Sequence, residues 1–245
     1  APEEDLAVFR DRDDLSEAVK ILYAMIRRLD RNVGRLLESV EQLGLRENTL
    51  IVFSSDNGPQ FGGSGDDCLD RFNCQLHGSK GSTYEGGIRV PMMMRWPGKI
   101  ATGTVRNDVA QHLDMFATIA AATGANLPND RKMDSFNLLG AGPKRDITFW
   151  RSGHYRVVRA GDWKLQISKR PEKVWLFNLA TDPTERVNLA AKDPARVAEL
   201  RKLIEAHNAR LPKPLWPGLL EGAIRIDVPL NAPWKKDQEY VYWAN

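Results

Sequence analysis

Apolar residues recur at intervals of three or four from the start of the chain: Leu15, Val19, Leu22, Ile26, Leu29, Val33, Leu36, Val40 and Leu43. That spacing puts them on one face of an α-helix and predicts a long amphipathic helix over 15–43, its stripe facing a core. Asp14 with Glu17 three residues later predicts the helix start, and Gly44 its end. The pattern then changes to TLIVFSS at 49–55, with no polar alternation from Leu50 to Phe53. Such a run predicts a strand covered on both faces, the habit of parallel sheets in α/β domains. It stops at Asp56-Asn57-Gly58-Pro59, a dense turn signal. Beyond the carboxyl end of such a strand is where α/β sheets carry their functional groups.

A Gly-rich polar segment runs to Gly87, followed by a second strand candidate over 88–96, weakened by Pro91. A short helix is predicted over 111–123, closed by Gly124, and a linker over 126–143, rich in Asn, Pro, Gly and charge. Four short strands follow, at 147–150, 155–159, 163–167 and 174–177, separated by turn pairs such as Ser152-Gly153 and Gly161-Asp162. They predict a small antiparallel sheet. Asp193-Pro194 opens a last helix with Val197, Leu200 and Ile204 inward, and the Pro- and Trp-rich tail from Leu211 is expected to lie extended over the surface.

The predicted fold class is therefore α/β: part of a mixed, largely parallel sheet flanked by helices over 1–140, then a small antiparallel α+β subdomain with an extended tail over 141–245. A strand buried on both faces needs parallel neighbours reached by long crossovers. Residues 1–140 offer only one or two such strands, so the chain is expected to hold only part of that sheet.

The 245 residues are 42% hydrophobic and 27% charged, the balance of a folded globular protein. The net charge of +3 is spread along the chain and gives no argument for a nucleic-acid partner, while small anionic substrates are compatible with it. No apolar run approaches the roughly 20 residues of a membrane span. The first residues are acidic and polar, without the basic and apolar regions of a signal peptide. Cys68 and Cys74 share one Gly/Asp-rich segment, and spacing alone leaves a local disulfide and two free thiols equally open.

Two places carry candidate chemistry. Asp56 and Asn57 set a carboxylate and an amide carbonyl side by side at a strand end, and hard cations such as calcium and magnesium take oxygen ligands of this kind. The same pair also suits a plain Asx turn. Lys80 lies in His77-Gly78-Ser79-Lys80-Gly81-Ser82-Thr83-Tyr84-Glu85-Gly86-Gly87, where glycines let backbone amides approach an oxyanion and the ammonium supplies a point charge. His77, His112, His154 and His207 are the histidines, and a lone histidine is more often structural than catalytic.

Asp56-Asn57-Gly58 after an apolar strand, the 78–91 segment with Lys80 and Tyr84-Glu85-Gly86-Gly87-Ile88-Arg89-Val90-Pro91, and then Trp96-Pro97-Gly98 resemble the sulfatase family in order and spacing. His112-Leu113-Asp114-Met115-Phe116-Ala117-Thr118 is similar to that family's D-x-x-P-T segment, with Ala117 in place of the proline. Gly161-Asp162-Trp163-Lys164-Leu165 and Asp182-Pro183-Thr184-Glu185, with Asn188-Leu189, resemble its C-terminal subdomain.

The resemblance implies an alkaline-phosphatase-like α/β fold acting on sulfate esters. It implies Asp56 and Asn57 as ligands of a calcium (or magnesium) ion and Lys80 as the sulfate-binding lysine. It also implies an exported protein, periplasmic or extracellular. The family's nucleophile is a formylglycine made within C/S-x-P/A-x-R. Neither Cys68 nor Cys74 begins that pattern, nor do Ser16, Ser54 or Ser82. The expectation is thus a C-terminal portion, inactive alone, whose partner is an N-terminal sulfatase half. Two alternatives stand beside it: a free-standing module binding anions or sulfated glycans, and an ester hydrolase using Ser79 or Ser82 with His77.

Overall fold

The computed structural model describes residues 1–60, 73–140, 145–213, 215–216, 221–229 and 232–244. The helices are α1 (Glu3–Leu6), α2 (Glu17–Gln42), α3 (Glu85–Ile88), α4 (Asp114–Thr123) and α5 (Pro194–Arg210). The strands are β1 (Ile51–Ser54), β2 (Met92–Arg95), β3 (Ile147–Ser152), β4 (Tyr155–Ala160), β5 (Trp163–Lys169), β6 (Glu172–Asn178), β7 (Glu221–Arg225) and β8 (Tyr240–Ala244). They fall into two compact units, one of residues 1–32, 55–90 and 147–245, the other of 33–54 and 91–146.

In the first unit the order β3-β4-β5-β6 is a fully antiparallel meander, as the evenly spaced turn pairs predict. Alternation along the strands gives the sheet two apolar faces. Val158, Leu165 and Leu176 meet Leu200 and Ile204 of α5 on one. Asp193 caps α5 as expected, its carboxylate accepting from the Arg196 amide at 2.9 Å, with Pro194 in the first turn. On the other face Tyr155, Val157, Trp175 and Phe177 enclose Tyr84 together with Ile226 and Val241.

Those last two residues correct one expectation. The tail does not lie extended on the surface: β7 and β8 pair as an antiparallel hairpin from Glu221↔Ala244 to Arg225↔Tyr240. Burial of Val241 and Ile226 beside the sheet is what folds it back.

In the second unit β1 and β2 pair antiparallel, Ile51 opposite Arg95 and Ser54 opposite Met92. Burial along β1 alternates, Val52 is 37% exposed, and among the described residues the strand has no parallel neighbour, as expected of a chain that holds only part of the sheet. The strand β2 begins only after Pro91, whose carbonyl accepts the Ser54 hydroxyl at 3.0 Å. Residues 126–140 are not a loose linker either. Phe136 donates its amide to buried Asp114 at 2.9 Å, and Leu138 donates to Thr118 at 3.0 Å. Arg145 ion-pairs with Asp114 as well.

The helix α2 starts at Glu17, with the Ser16 hydroxyl accepting from the Val19 amide at 3.4 Å, while Asp14 pairs with Arg12 instead of capping. Its stripe is the largest departure from expectation. Leu15 and Val19 are buried, but Ile26, Leu29, Leu36 and Leu43 are 51%, 51%, 63% and 71% exposed. Periodicity correctly reports an amphipathic helix, but four of the nine stripe positions stand exposed and Leu22, Val33 and Val40 are only half-buried.

Candidate functional site

The turn that follows β1 is held by its own polar groups. The Ser55 hydroxyl donates to the Asn57 carbonyl at 3.0 Å, and the Asn57 side-chain amide donates to the Gly58 carbonyl at 2.9 Å. The turn is then stitched to the lysine segment by main-chain bonds: Gly58 N–H to Gly87 O at 2.8 Å, and Lys80 N–H to Pro59 O at 3.0 Å. A Cβ at Gly58 would overlap the Gly86 carbonyl, so only glycine permits this approach.

Asp56-Asn57 and Lys80, more than twenty residues apart in sequence, therefore belong to one hydrogen-bonded pair of turns. Asp56 and Lys80 are exposed and Asn57 is half-buried. With its NH₂ committed to Gly58, Asn57 keeps Oδ1 for a cation, and Asp56 offers a carboxylate. Their chemistry fits a hard cation, but calcium takes about six to eight oxygens. Among the described residues no group of three His, Cys, Asp or Glu side chains could hold a metal. Two oxygen donors alone fall short of that number.

Two interactions that the sequence did not disclose hold this segment on the antiparallel sheet. The first is fully buried. Lys164 on β5 reaches Glu85 and Glu185, each at 2.9 Å, and Glu185 accepts the Glu85 amide at 2.5 Å. Gln166, two residues along the same face, donates to Glu185 at 3.3 Å and accepts the Thr83 hydroxyl at 3.3 Å. Burial pushes the Glu185 carboxyl upward against the lowering influence of Lys164.

The second surrounds His77, at the entrance to the lysine segment. Its Nδ1 faces Asp227 Oδ2 at 2.5 Å and its Nε2 faces Glu239 Oε2 at 3.3 Å. Asp227 also accepts the Gly78 amide at 2.8 Å and Arg186 at 2.7 Å, while Glu239 accepts Tyr84 at 3.1 Å and Trp175 at 2.5 Å. Lys173 stands 3.5 Å from Glu239. Burial alone would lower the imidazolium pKa, but hydrogen bonds to Asp227 and Glu239 outweigh it and raise His77 to about 9. Burial raises Glu239, and the bonds from His77 and Trp175 with the Lys173 charge bring it down to about 2.

The sign of the pH dependence follows. A pKa raised from 6.5 to about 9 stabilises the fold in full below pH 6.5, and that stability is lost as pH rises through 9. The depressed Glu239 acts oppositely, its contribution fading only as pH falls from 4.5 towards 2. Urea unfolding at pH 6 and pH 9 should show the chain losing on the order of 2 kcal/mol between them. His77→Gln should lose most of that difference. Equal pH dependence in both proteins would remove His77 as its source.

The two ring nitrogens of His77 face Asp227 and Glu239, with Arg186 also 3.0 Å from Nδ1, and none of these partners is a serine. Ser79 and Ser82 are buried, and the Ser82 hydroxyl donates to the Ser79 carbonyl at 2.8 Å. The serine-hydrolase arrangement is not formed. His207 stacks on Phe149 at 3.9 Å, His154 lies 3.9 Å from Glu221, and His112 lies 3.4 Å from the Ser54 hydroxyl. Cys74 is exposed, and Cys68 lies outside the described residues.

Two overlapping family patterns cover most of this architecture. The sulfatase pattern matches residues 6–125, and that of the N-sulphoglucosamine sulphohydrolase C-terminal region matches 77–211, more than half of the chain. The chain belongs to the sulfatase family.

Among curated sulfatases, N-acetylgalactosamine-6-O-sulfatase of Bacteroides thetaiotaomicron is 31% identical over 76% of this chain and 41% of its own length. Human arylsulfatase A is 40% identical over 66% of this chain and 37% of its own. The crystal structure of Ps i-CgsB superposes with a TM-score of 0.74 at 29% identity, covering 88% of this chain and 48% of that one. The chain thus spans less than half the length of each of these three proteins. The mixed α/β class with a small C-terminal antiparallel sheet agrees with these neighbours. No described helix is long and apolar enough to cross a membrane.

Proposed function

We propose that this chain carries the sulfate-binding lysine and part of the metal site of a sulfuric-ester hydrolase, and that it turns over substrate only with an N-terminal sulfatase half. The observation that carries the reading is the pair of main-chain bonds, Gly58 to Gly87 and Lys80 to Pro59, which joins the Asp56-Asn57 turn to the lysine segment. Lys80 would bind the sulfuryl oxygens as a point charge. Asp56 and Asn57 would hold calcium, or magnesium, with further oxygen ligands from the other half. When bound, such a cation neutralises charge on the transferring group.

Two features support an N-terminal partner, whether a separate chain or a preceding segment. Neither cysteine begins the nucleophile pattern C/S-x-P/A-x-R, nor do Ser16, Ser54 or Ser82. The exposed apolar face of α2, from Ile26 to Leu43, is of the kind that marks a surface meant to be covered. Sulfate esters as substrates follow from the names of the related sulfatases. An exported location is part of the same proposal.

The test is turnover of an aryl sulfate with calcium present. The isolated chain should give none above a Lys80→Ala control, and adding a sulfatase N-terminal half should produce it. Turnover by the isolated chain would defeat the reading. Sulfate binding with no turnover even after complementation would favour a free-standing anion- or sulfated-glycan-binding module.

A further inference from the structure

Lys80 sits at the crest of a closed turn. Ser82 donates its amide to the Ser79 carbonyl at 3.0 Å. Its hydroxyl donates to the same carbonyl at 2.8 Å and accepts the Ser79 amide at 3.3 Å. Gly81 has φ +87°, the left-handed value that the second central residue of a type II turn requires, and Lys80 is the first. A turn closed this tightly is a small rigid body, so whatever fixes its two ends sets where the exposed lysine stands.

The β7–β8 hairpin meets this segment at three points. Just past β7, Asp227 accepts the Gly78 amide at 2.8 Å, across 149 positions of sequence, and faces the His77 ring as well. Ile224 lies against Gly81, where an added Cβ would stand 3.2 Å from it. Just before β8, Glu239 accepts the Tyr84 hydroxyl at 3.1 Å. Of the two polar holds, the one nearer to Lys80 in sequence is that of Asp227 on Gly78.

Asp227 is itself held in an uncommon conformation. Its φ of +51° lies in the left-handed region, which few residues other than glycine adopt. Such a backbone persists where its surroundings over-determine it. Here Arg186 donates to Asp227 at 2.7 Å and to the Gln75 carbonyl at 2.7 Å, tying the carboxylate to the chain just ahead of His77. The carboxylate is thereby fixed against the Gly78 amide from both sides of the contact.

For a lysine that acts on a reacting group, placement decides the rate: a displacement of about 1 Å can cost about 10²-fold. We infer that Asp227 is a positioning residue for Lys80, holding the Gly78 amide and so fixing the turn that presents the ammonium. The inference rests on the sulfatase reading for what Lys80 does, whereas the hold on the turn is measured apart from it.

The experiment compares wild type, Asp227→Ala and Asp227→Asn by two measurements. The first is amide hydrogen exchange in the chain itself. Asp227→Ala should speed exchange over 78–84 about tenfold, the weight of one hydrogen bond to a charged acceptor, and leave the β4–β6 amides nearly unchanged. The second is the single-turnover rate of the complemented enzyme on an aryl sulfate. Asp227→Ala should slow it about 10²-fold, and Asp227→Asn, whose side-chain oxygen still accepts the Gly78 amide, should recover most of that loss. Added to Lys80→Ala, Asp227→Ala should slow it no further, because a positioning residue has nothing left to position. Should Asp227→Ala fail to fold, Asp227→Ser, whose side chain ends one bond before the carboxylate oxygens, takes its place.

Unchanged exchange over 78–84 overturns the hold. Equal slowing of the wild type and of Lys80→Ala by Asp227→Ala would give Asp227 a general structural role and overturn the positioning. So would a loss as large for Asp227→Asn as for Asp227→Ala, since the bond to Gly78 would then not be what matters. Faster exchange with no turnover from any complemented enzyme would support the hold and defeat the sulfatase reading instead.

Discussion

Lys164→Met is expected to destabilise the chain by about 3–5 kcal/mol, because it leaves Glu85 and Glu185 buried without their cation. Lys164 is fully buried, Glu185 is 1% and Glu85 3% exposed, so water cannot take over the lost ammonium. The damage should spread beyond the pair. Glu185 also receives the Glu85 amide and the Gln166 side chain, and Glu85 opens the turn whose glycines bond back to Gly58 and His77. A variant that neutralises all three groups, Lys164→Met with Glu85→Gln and Glu185→Gln, should recover a large part of the loss, since no buried charge remains. Urea unfolding of the three proteins reads both effects. A loss below about 1 kcal/mol for the single variant would mean that the lysine is not what holds the segment to the sheet.

Lys80→Ala, and separately Asp56→Ala, should each cut turnover of the complemented enzyme about 10²–10³-fold, the usual cost of removing one charge-stabilising group from a transition state. Both side chains are exposed in this chain and neither packs a core, so melting temperatures should change little. That separates them from Lys164. The contrast follows from position: Lys164 faces a closed interior between sheet and segment, whereas Lys80 sits on the turn's open side. Turnover that survives both substitutions would remove these residues from the chemistry.

Much of this arrangement is legible along the chain because it depends on local signals. Asp193-Pro194 marks the start of α5, paired turn residues mark the β3–β6 meander, and the Asp56-Asn57 and Lys80 segments carry a motif in fixed order. What escapes is long-range. His77 meets Asp227 across 150 positions and Lys164 meets Glu85 across 79, and no local pattern announces such pairs. The hairpin β7–β8 hides in a Pro-rich tail because its pairing is decided by burial of Ile226 and Val241 against a sheet formed elsewhere. The exposed stripe of α2 teaches the complementary point. Periodicity states that a helix has an apolar face, but not that its cover lies in the same chain.

If Asp56 and Lys80 serve one sulfuryl group, as proposed above, a double-mutant cycle will show it. Single-turnover rates on an aryl sulfate would be measured for the complemented wild type, Asp56→Ala, Lys80→Ala and the double variant. The double variant should be hardly slower than either single one, because groups that serve one transition state fail together. Losses that multiply in full would place the two residues in separate tasks and overturn their shared role.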